Sequence, residues 1–516
     1  MKKKWYLGLL AVAATTLVAC SSQTTQTKAN TENKFTYAIG GDPTSSNPIN
    51  TSDRWGLTMA NMIYSPLIRI EADGSHKFEL AESLDVSPDG KKITVKLRKD
   101  VKWSDGEAFN ADDVVFTYTE LAKKENGNSS KMYINDAVIA VEKVDDYTVV
   151  FTLPEASAAT IENLATEKYI LPEHAYKGKD LTGKELPVSH VGTGAYKLVE
   201  YKRGEYMQFE ANEHFYGGKP SIDKVILQII PSADTQKLAL QKGEVDAAVV
   251  LPSDVADLNK DSITTYPYSE NRVGYMGLNT ATSELQDKKV RQAILFALNK
   301  DDMNKAAYLS DEYYVSPNSI LPPNNPYATT NVEKYTQNLE KAKALLQEAG
   351  VTNLTLKLGY SATDPAQTLQ ATLIQQQLQQ VGVTVELAGG DSSAIFTELR
   401  KKGSTQYHLF LGGYIMGNDP DLYAALFAPG ARANYFQYNS EKVAELFDKG
   451  AKELDDAKRK AIYEELQQVI ADDAVIYPIV DNRRILAVNS RIQGVKEAGL
   501  VPIYSLEDMS KLSVKK

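Results

Sequence analysis

From residue 34 onward the chain switches repeatedly between two spacings of apolar side chains. A spacing of two predicts strands at Phe35-Thr36-Tyr37-Ala38-Ile39, at Ile93-Thr94-Val95-Lys96-Leu97 and over 147–153, and again where Leu354, Leu356 and Leu358 and then Val383, Val385 and Leu387 alternate with other residues. A spacing of three to four predicts amphipathic helices over 55–64, 112–121, 234–242, 288–298, 338–349 and 366–380. Local stop signals bound these runs: Gly40-Gly41-Asp42-Pro43 after the first strand, Ser65-Pro66 after the first helix, Ser87-Pro88-Asp89-Gly90 as a turn, and Gly350 closing the helix before it. Strands alternating with helices predict mixed α/β sub-domains. At 516 residues the chain exceeds what one core usually supports, so two or three sub-domains are expected.

The first 33 residues follow a different pattern. Lys2, Lys3 and Lys4 precede a short apolar stretch over 5–18, and Leu17-Val18-Ala19-Cys20 follows. A charged start, a short apolar core and small residues before a cut describe a secretory signal over 1–19, shorter than the roughly 20 apolar residues a spanning helix needs. Leu-Val-Ala-Cys looks like a lipobox, so Cys20 is expected to carry the lipid anchor and to become the first mature residue. Residues 21–33, SSQTTQTKANTEN, hold no aromatic or branched aliphatic side chain and predict a flexible tether over 20–33. Cys20 is the sole cysteine, which excludes an internal disulfide and a cysteine-based metal site. Formal charge is −10 for the whole chain and becomes −13 once the three signal lysines are cut away, which argues against nucleic acid as a partner.

Several ordered segments together resemble the family-5 extracellular solute-binding proteins, the oligopeptide-, dipeptide- and nickel-binding group. The most specific run is Leu80-Ala81-Glu82-Ser83, Ser87-Pro88-Asp89-Gly90, Leu97-Arg98-Lys99-Asp100-Val101-Lys102-Trp103-Ser104-Asp105-Gly106-Glu107 and Ala111-Asp112-Asp113-Val114-Val115-Phe116. Supporting pieces are Val191-Gly192-Thr193-Gly194-Ala195-Tyr196, the stretch 212–220 (NEHFYGGKP), Gln241-Lys242-Gly243-Glu244-Val245-Asp246 and Val290-Arg291-Gln292-Ala293-Ile294. The resemblance implies an α/β, periplasmic-binding-protein-like (Venus flytrap) fold with two hinged α/β lobes and an inserted third sub-domain. Lobe I would be discontinuous over 34–60, 187–275 and 483–516, the insertion would be 61–186, and lobe II would be 276–482. It further implies a monomeric lipoprotein, with no cofactor and no catalytic residues, that captures extracellular peptides and delivers them to the permease and ATPase subunits of an ABC importer. The protein would be anchored to the cell membrane on its extracytoplasmic side, a Gram-positive surface being preferred over a periplasm. Trp103 and Gly192-Thr193-Gly194 read as scaffold, the latter lacking the lysine of a phosphate loop.

In this family an extended ligand lies between lobes, partly as an added strand held by main-chain hydrogen bonds. One wall is expected at Gly413, Tyr414, Ile415, Met416, Gly417, Asn418 and Asp419, where an apolar strand breaks into a glycine-containing loop. The opposite wall is expected at Thr44, Ser45, Ser46 and Asn47, with Tyr275 near the crossover. Tyr414→Ala is expected to weaken binding without unfolding. Many peptide-binding members carry an aspartate three residues before the acid of the Asp-Pro pair, to meet the peptide's ammonium. Here that place is Met416, and a shift by one gives Gly417 or Ile415. Asp419 or Asp421 takes over, or the amine is held differently, or the ligand is not a free-amine peptide. Asp419 reads equally as a cap for a helix over 422–426.

Two other classes remain open in the sequence. The five histidines are scattered singly, with no helical pair, yet a chelated nickel or another small non-peptide solute would need no such pair. A secreted hydrolase would need facing carboxylates, and the acid pairs Asp112-Asp113 and Asp472-Asp473 sit at predicted helix edges, where solvated charge is expected.

Overall fold

Lys34–Ile39 forms a strand whose side chains are buried on both faces, flanked in the sheet by parallel strands, Lys224–Ile229 on one side and Ala247–Val250 on the other. The computed structural model to which this strand belongs describes residues 33–71, 74–186 and 190–515. The signal and the tether up to residue 32, including Cys20, lie outside the described residues.

Among the described residues, twelve strands form one mixed sheet. Its order runs Tyr196–Lys202, Tyr206–Ala211, Lys224–Ile229, Lys34–Ile39, Ala247–Val250, Ile476–Asn489, Val273–Leu278, Leu409–Tyr414, Leu354–Ser361 and Val383–Gly390, with Ile263–Ser269 and Tyr314–Val315 also pairing on the long strand. The 14-residue strand Ile476–Asn489 joins the two halves. Its later residues pair with Ala247–Val250 and Ile263–Ser269, and its earlier ones with Val273–Leu278. The chain thus crosses between halves twice, near 269–273 and near 480–483. At the second crossing the ladder slips, Gly274 facing Val480 and Tyr275 facing Pro478, so one residue bulges out.

Polar contacts hold these crossings. Ser269 Oγ donates to the Asp481 carboxylate at 2.9 Å, Arg272 donates to Asn482 Oδ1 at 3.0 Å, and Glu270 pairs with Arg54 at 2.6 Å. Burial pushes Asp481 up to about 6 even though Ser269 donates to it.

Beside the first half stands a separate antiparallel sheet in the order Ala81–Val86, Lys92–Leu97, Thr148–Thr152, Ala140–Asp145, against which the helix Ala111–Ala122 packs. Trp103, fully buried in the core, donates its indole N–H to Asp113 at 3.2 Å. Asp113 also accepts from the Asn110 and Glu173 amides. The sequence expectation of solvated charge therefore fails at Asp113, which is only 4% exposed: it caps its helix from inside and holds the turn ahead of it.

The predicted helices form within one or two residues of their expected limits, as Arg54–Ile63, Ala233–Gln241, Lys288–Phe296, Leu339–Glu348 and Pro365–Gln379. The helix expected over 422–426 is instead a 3₁₀ turn, Pro420–Tyr423, running into the short helix Ala424–Phe427. Gly194 lies on the end of the first helix, donating to Ile63 O at 2.8 Å, which accounts for the Gly192-Thr193-Gly194 motif as packing.

Candidate functional site

Where strand Leu409–Tyr414 leaves the sheet, its continuation Ile415–Asn418 forms one wall of a cavity of about 610 Å3. The strand Ile68–Ile70, residues of the stretch 162–169, Ser269 and Asn271 at the first crossing, and 500–504 line it as well. Ile68–Ile70 pairs with His76–Phe78, and among the described residues no strand occupies its other edge.

The wall segments touch through Glu162, on the helix Thr160–Ala165. One carboxylate oxygen accepts the Asn418 amide N–H at 2.8 Å and the other accepts that of Asp419 at 2.6 Å. Asn418 Nδ2 donates back to Glu71 O at 2.7 Å. Gly417 turns the loop at φ +97°, and a Cβ there would stand 2.5 Å from a Glu162 oxygen, so only glycine admits the contact. Burial, then the neighbouring Asp419 carboxylate, push Glu162 up to about 7, against the pull of the two amides.

Other charged groups line the space. Arg69 is paired with Glu79 at 3.0 Å and Glu507 with Lys77 at 2.6 Å. Lys131 donates to Asn163 Oδ1 at 2.8 Å, and Lys168 donates to Thr166 O at 3.2 Å. Burial lowers Lys131 and brings Lys168 down to about 8, while it raises Glu167. Among the described residues no group of three or more His, Cys, Asp or Glu side chains is arranged to hold a metal ion, and no helix is long and apolar enough to cross a membrane.

A family model described as bacterial extracellular solute-binding proteins, family 5, matches residues 77–435. The chain belongs to this family. It is similar to a dipeptide-binding protein of Escherichia coli K12, 29% identical with 95% of each chain covered. It also resembles the oligopeptide-binding protein AppA of Bacillus subtilis, 28% identical with 97% of each covered. The crystal structure of the ABC transporter substrate-binding protein CtaP of Listeria monocytogenes superposes with a TM-score of 0.90 at 37% identity, covering 94% of this chain and 100% of that one. The fold is accordingly that of the family-5 periplasmic binding proteins, and the protein is an extracytoplasmic solute-binding protein rather than an enzyme.

Within this family-5 chain the residues expected at the site fall in different places. Ile415, Met416, Gly417 and Asn418 line the cavity. Thr44, Ser45, Ser46 and Asn47 are not among its lining residues. Thr44 donates to Asp53, the cap of the first helix, while Ser45, Ser46 and Asn47 bind the carbonyls of Leu181, Gly183 and Lys184, bracing the strand exit against the segment before 187. Tyr275 and Tyr414 are core residues, 3% and 7% exposed, their ring centroids 5.3 Å apart. Tyr414 also donates to Ile320 O at 2.6 Å. Gly413 has the Arg272 guanidinium against it, where a Cβ would meet nitrogen at 2.0 Å. Asp419 caps the 3₁₀ turn by accepting from the Asp421 amide at 2.9 Å and pairs with Arg459 at 2.8 Å, both side chains buried. The capping alternative thus describes its place. Glu162, Glu167, Lys168 and Lys131 carried no sequence signal: nothing in Ala165-Thr166-Glu167-Lys168-Tyr169 marks a turn or a motif.

Proposed function

We propose that this protein captures peptides in the cavity between its lobes and delivers them to the membrane subunits of an ABC importer. The lobe limits proposed are 34–60, 187–275 and 483–516 for the first lobe, 61–186 for the insertion and 276–482 for the second. The exchange of sheet partners along Ile476–Asn489 supports a hinge near those limits. The observation that carries the peptide reading is that Ile68–Ile70, which among the described residues pairs with one strand only, and the irregular main chain of Ile415–Asn418 line the same cavity. A backbone inserted there can be held by hydrogen bonds that ignore side-chain identity. The dipeptide- and oligopeptide-binding names of two relatives point the same way. Ile415–Asn418 are the ligand-contacting part of the expected loop in this reading, with the buried Tyr275 and Tyr414 supporting the strand that leads into it.

Closure of the lobes would bury the solute from water and present one compact surface to the permease. Native mass spectrometry of the protein as purified, followed by calorimetric titration with peptides and with nickel plus free histidine, tests the assignment. Peptide mass released on denaturation and heat on peptide addition are expected; heat from the nickel chelate alone would replace peptide by metal chelate as the cargo. Cys20 is proposed to carry the lipid, so Cys20→Ser is expected to move the protein from the membrane fraction to the medium.

A further inference from the structure

The loop wall Ile415–Asn418 carries no charged side chain, so a ligand's charge is met by the other lining residues, of which Arg69 is already paired with Glu79, Glu507 with Lys77 and Lys131 with Asn163. In the stretch 162–169, Glu162 is committed to two loop amides. Glu167 is not: among the described residues no hydrogen bond or ion pair reaches its carboxylate, although burial raises its pKa. Its backbone is also strained, at φ +57°, a left-handed conformation that is unfavourable for a non-glycine residue and that glycine adopts freely. Its neighbour Lys168 is 8% exposed, and its ammonium has a single partner, the Thr166 carbonyl two residues away. A buried ammonium with donors to spare is costly unless something completes it, and the part-exposed Glu167 carboxylate beside it is free to accept from a ligand.

We propose that Glu167 and Lys168 are the charged anchors of the cavity, Glu167 receiving a ligand's ammonium and Lys168 its carboxylate, so that the ligand is a small zwitterion of amino-acid or dipeptide size. This rests on the solute-binding reading above and narrows its substrate class. The Glu167 and Lys168 charges are near enough to act on each other, so the two serve ligand charges that lie close together. The ends of a long extended peptide, separating by about 3.3 Å per residue, could not both reach them. The strain at Glu167 also finds a reason: glycine would be the comfortable residue there, and it would have no carboxylate. Desolvation lowers Lys168 and raises Glu167, each partly offset by the other's charge, and each is expected to return toward its ordinary range when a zwitterion binds.

The test is calorimetry on the full mature protein with free amino acids and with alanyl dipeptides, each dipeptide offered free, N-acetylated and C-amidated. In the wild type, acetylation and amidation are each expected to weaken binding at least about thirtyfold, the effect of stranding one buried charge. Glu167→Gln should erase the acetylation penalty and Lys168→Met the amidation penalty. Glu167→Gly should bind as poorly as Glu167→Gln while its melting temperature is unchanged or higher, an outcome a purely structural glutamate would not give. Acetylated and free dipeptides binding alike, or amine discrimination lost in Glu71→Gln instead of Glu167→Gln, would overturn the assignment. Binding of long peptides without dipeptides or amino acids overturns it while leaving peptide capture standing. Amino acids binding with both charge dependences, and no peptide at all, upholds it and removes the peptide reading.

Discussion

Tyr414 and Asp419 show how a residue placed in a binding loop by its neighbours in sequence can serve the core instead. Tyr414 packs against Tyr275, Tyr423 and Phe427 and spends its hydroxyl on the Ile320 carbonyl. Its removal is therefore a stability event. Tyr414→Phe should cost about 1 kcal/mol for the lost hydrogen bond and Tyr414→Ala about 3–5 kcal/mol for the cavity left behind, both read from urea denaturation. The expectation of lost binding without unfolding gives way to this. Asp419 is tied to Arg459, whose side chain is 4% exposed, so Asp419→Ala strands a buried guanidinium. A loss of about 3–5 kcal/mol is expected on thermal or chemical unfolding; a loss below 1 kcal/mol would mean that water reaches the pair.

The element that joins the two sides of the cavity is the helix Thr160–Ala165, through Glu162. Its carboxyl rises from 4.5 to about 7 where the walls touch, with Asp419 and Lys131 facing it. A group whose pKa is raised in one arrangement favours that arrangement when protonated. The touching arrangement is thus unpenalised below about pH 4.5, increasingly disfavoured as pH rises through 7, and gains a proton on forming in between. Asp421, pushed up to about 6 by burial and by Asp419, titrates in the same direction but sits within the loop's own lobe. Ligand affinity should therefore rise as pH falls from about 7.5 to 5, and Glu162→Gln should flatten that rise. A slope unchanged in Glu162→Gln would remove Glu162 as its source. The loop meets this helix only because Gly417 leaves room for a carboxylate where any side chain would intrude.

For the whole molecule, ligand binding to one arrangement of two lobes stabilises that arrangement by mass action. Peptide or zwitterion at 100 times its Kd should add about 2.7 kcal/mol to unfolding, visible as a higher Tm, and small-angle scattering should record a smaller radius of gyration. A higher Tm with an unchanged radius would mean that the lobes stay in contact without ligand. Much of the architecture was legible beforehand, since periods of two and of three to four side chains, helix caps and turn residues are local properties, and the ordered motifs from Leu80 to Phe116 carry the family. Less of the connection between halves was legible. Ile476–Asn489 interrupts its apolar runs with Pro478 and the polar Asp481-Asn482-Arg483-Arg484, a sequence that alone does not read as one continuous strand. The loop Ile415–Asn418 was found because strand exits and glycines are local signals. The facing wall was not, because Glu162 meets Asn418 across 256 positions of chain and Glu167 takes its left-handed turn without the glycine or asparagine that announces one. The order of residues by itself determined the strands, the helices and the family; only the tertiary structure decided which charges share the cavity, because burial and partnership are properties of distance in space rather than along the chain.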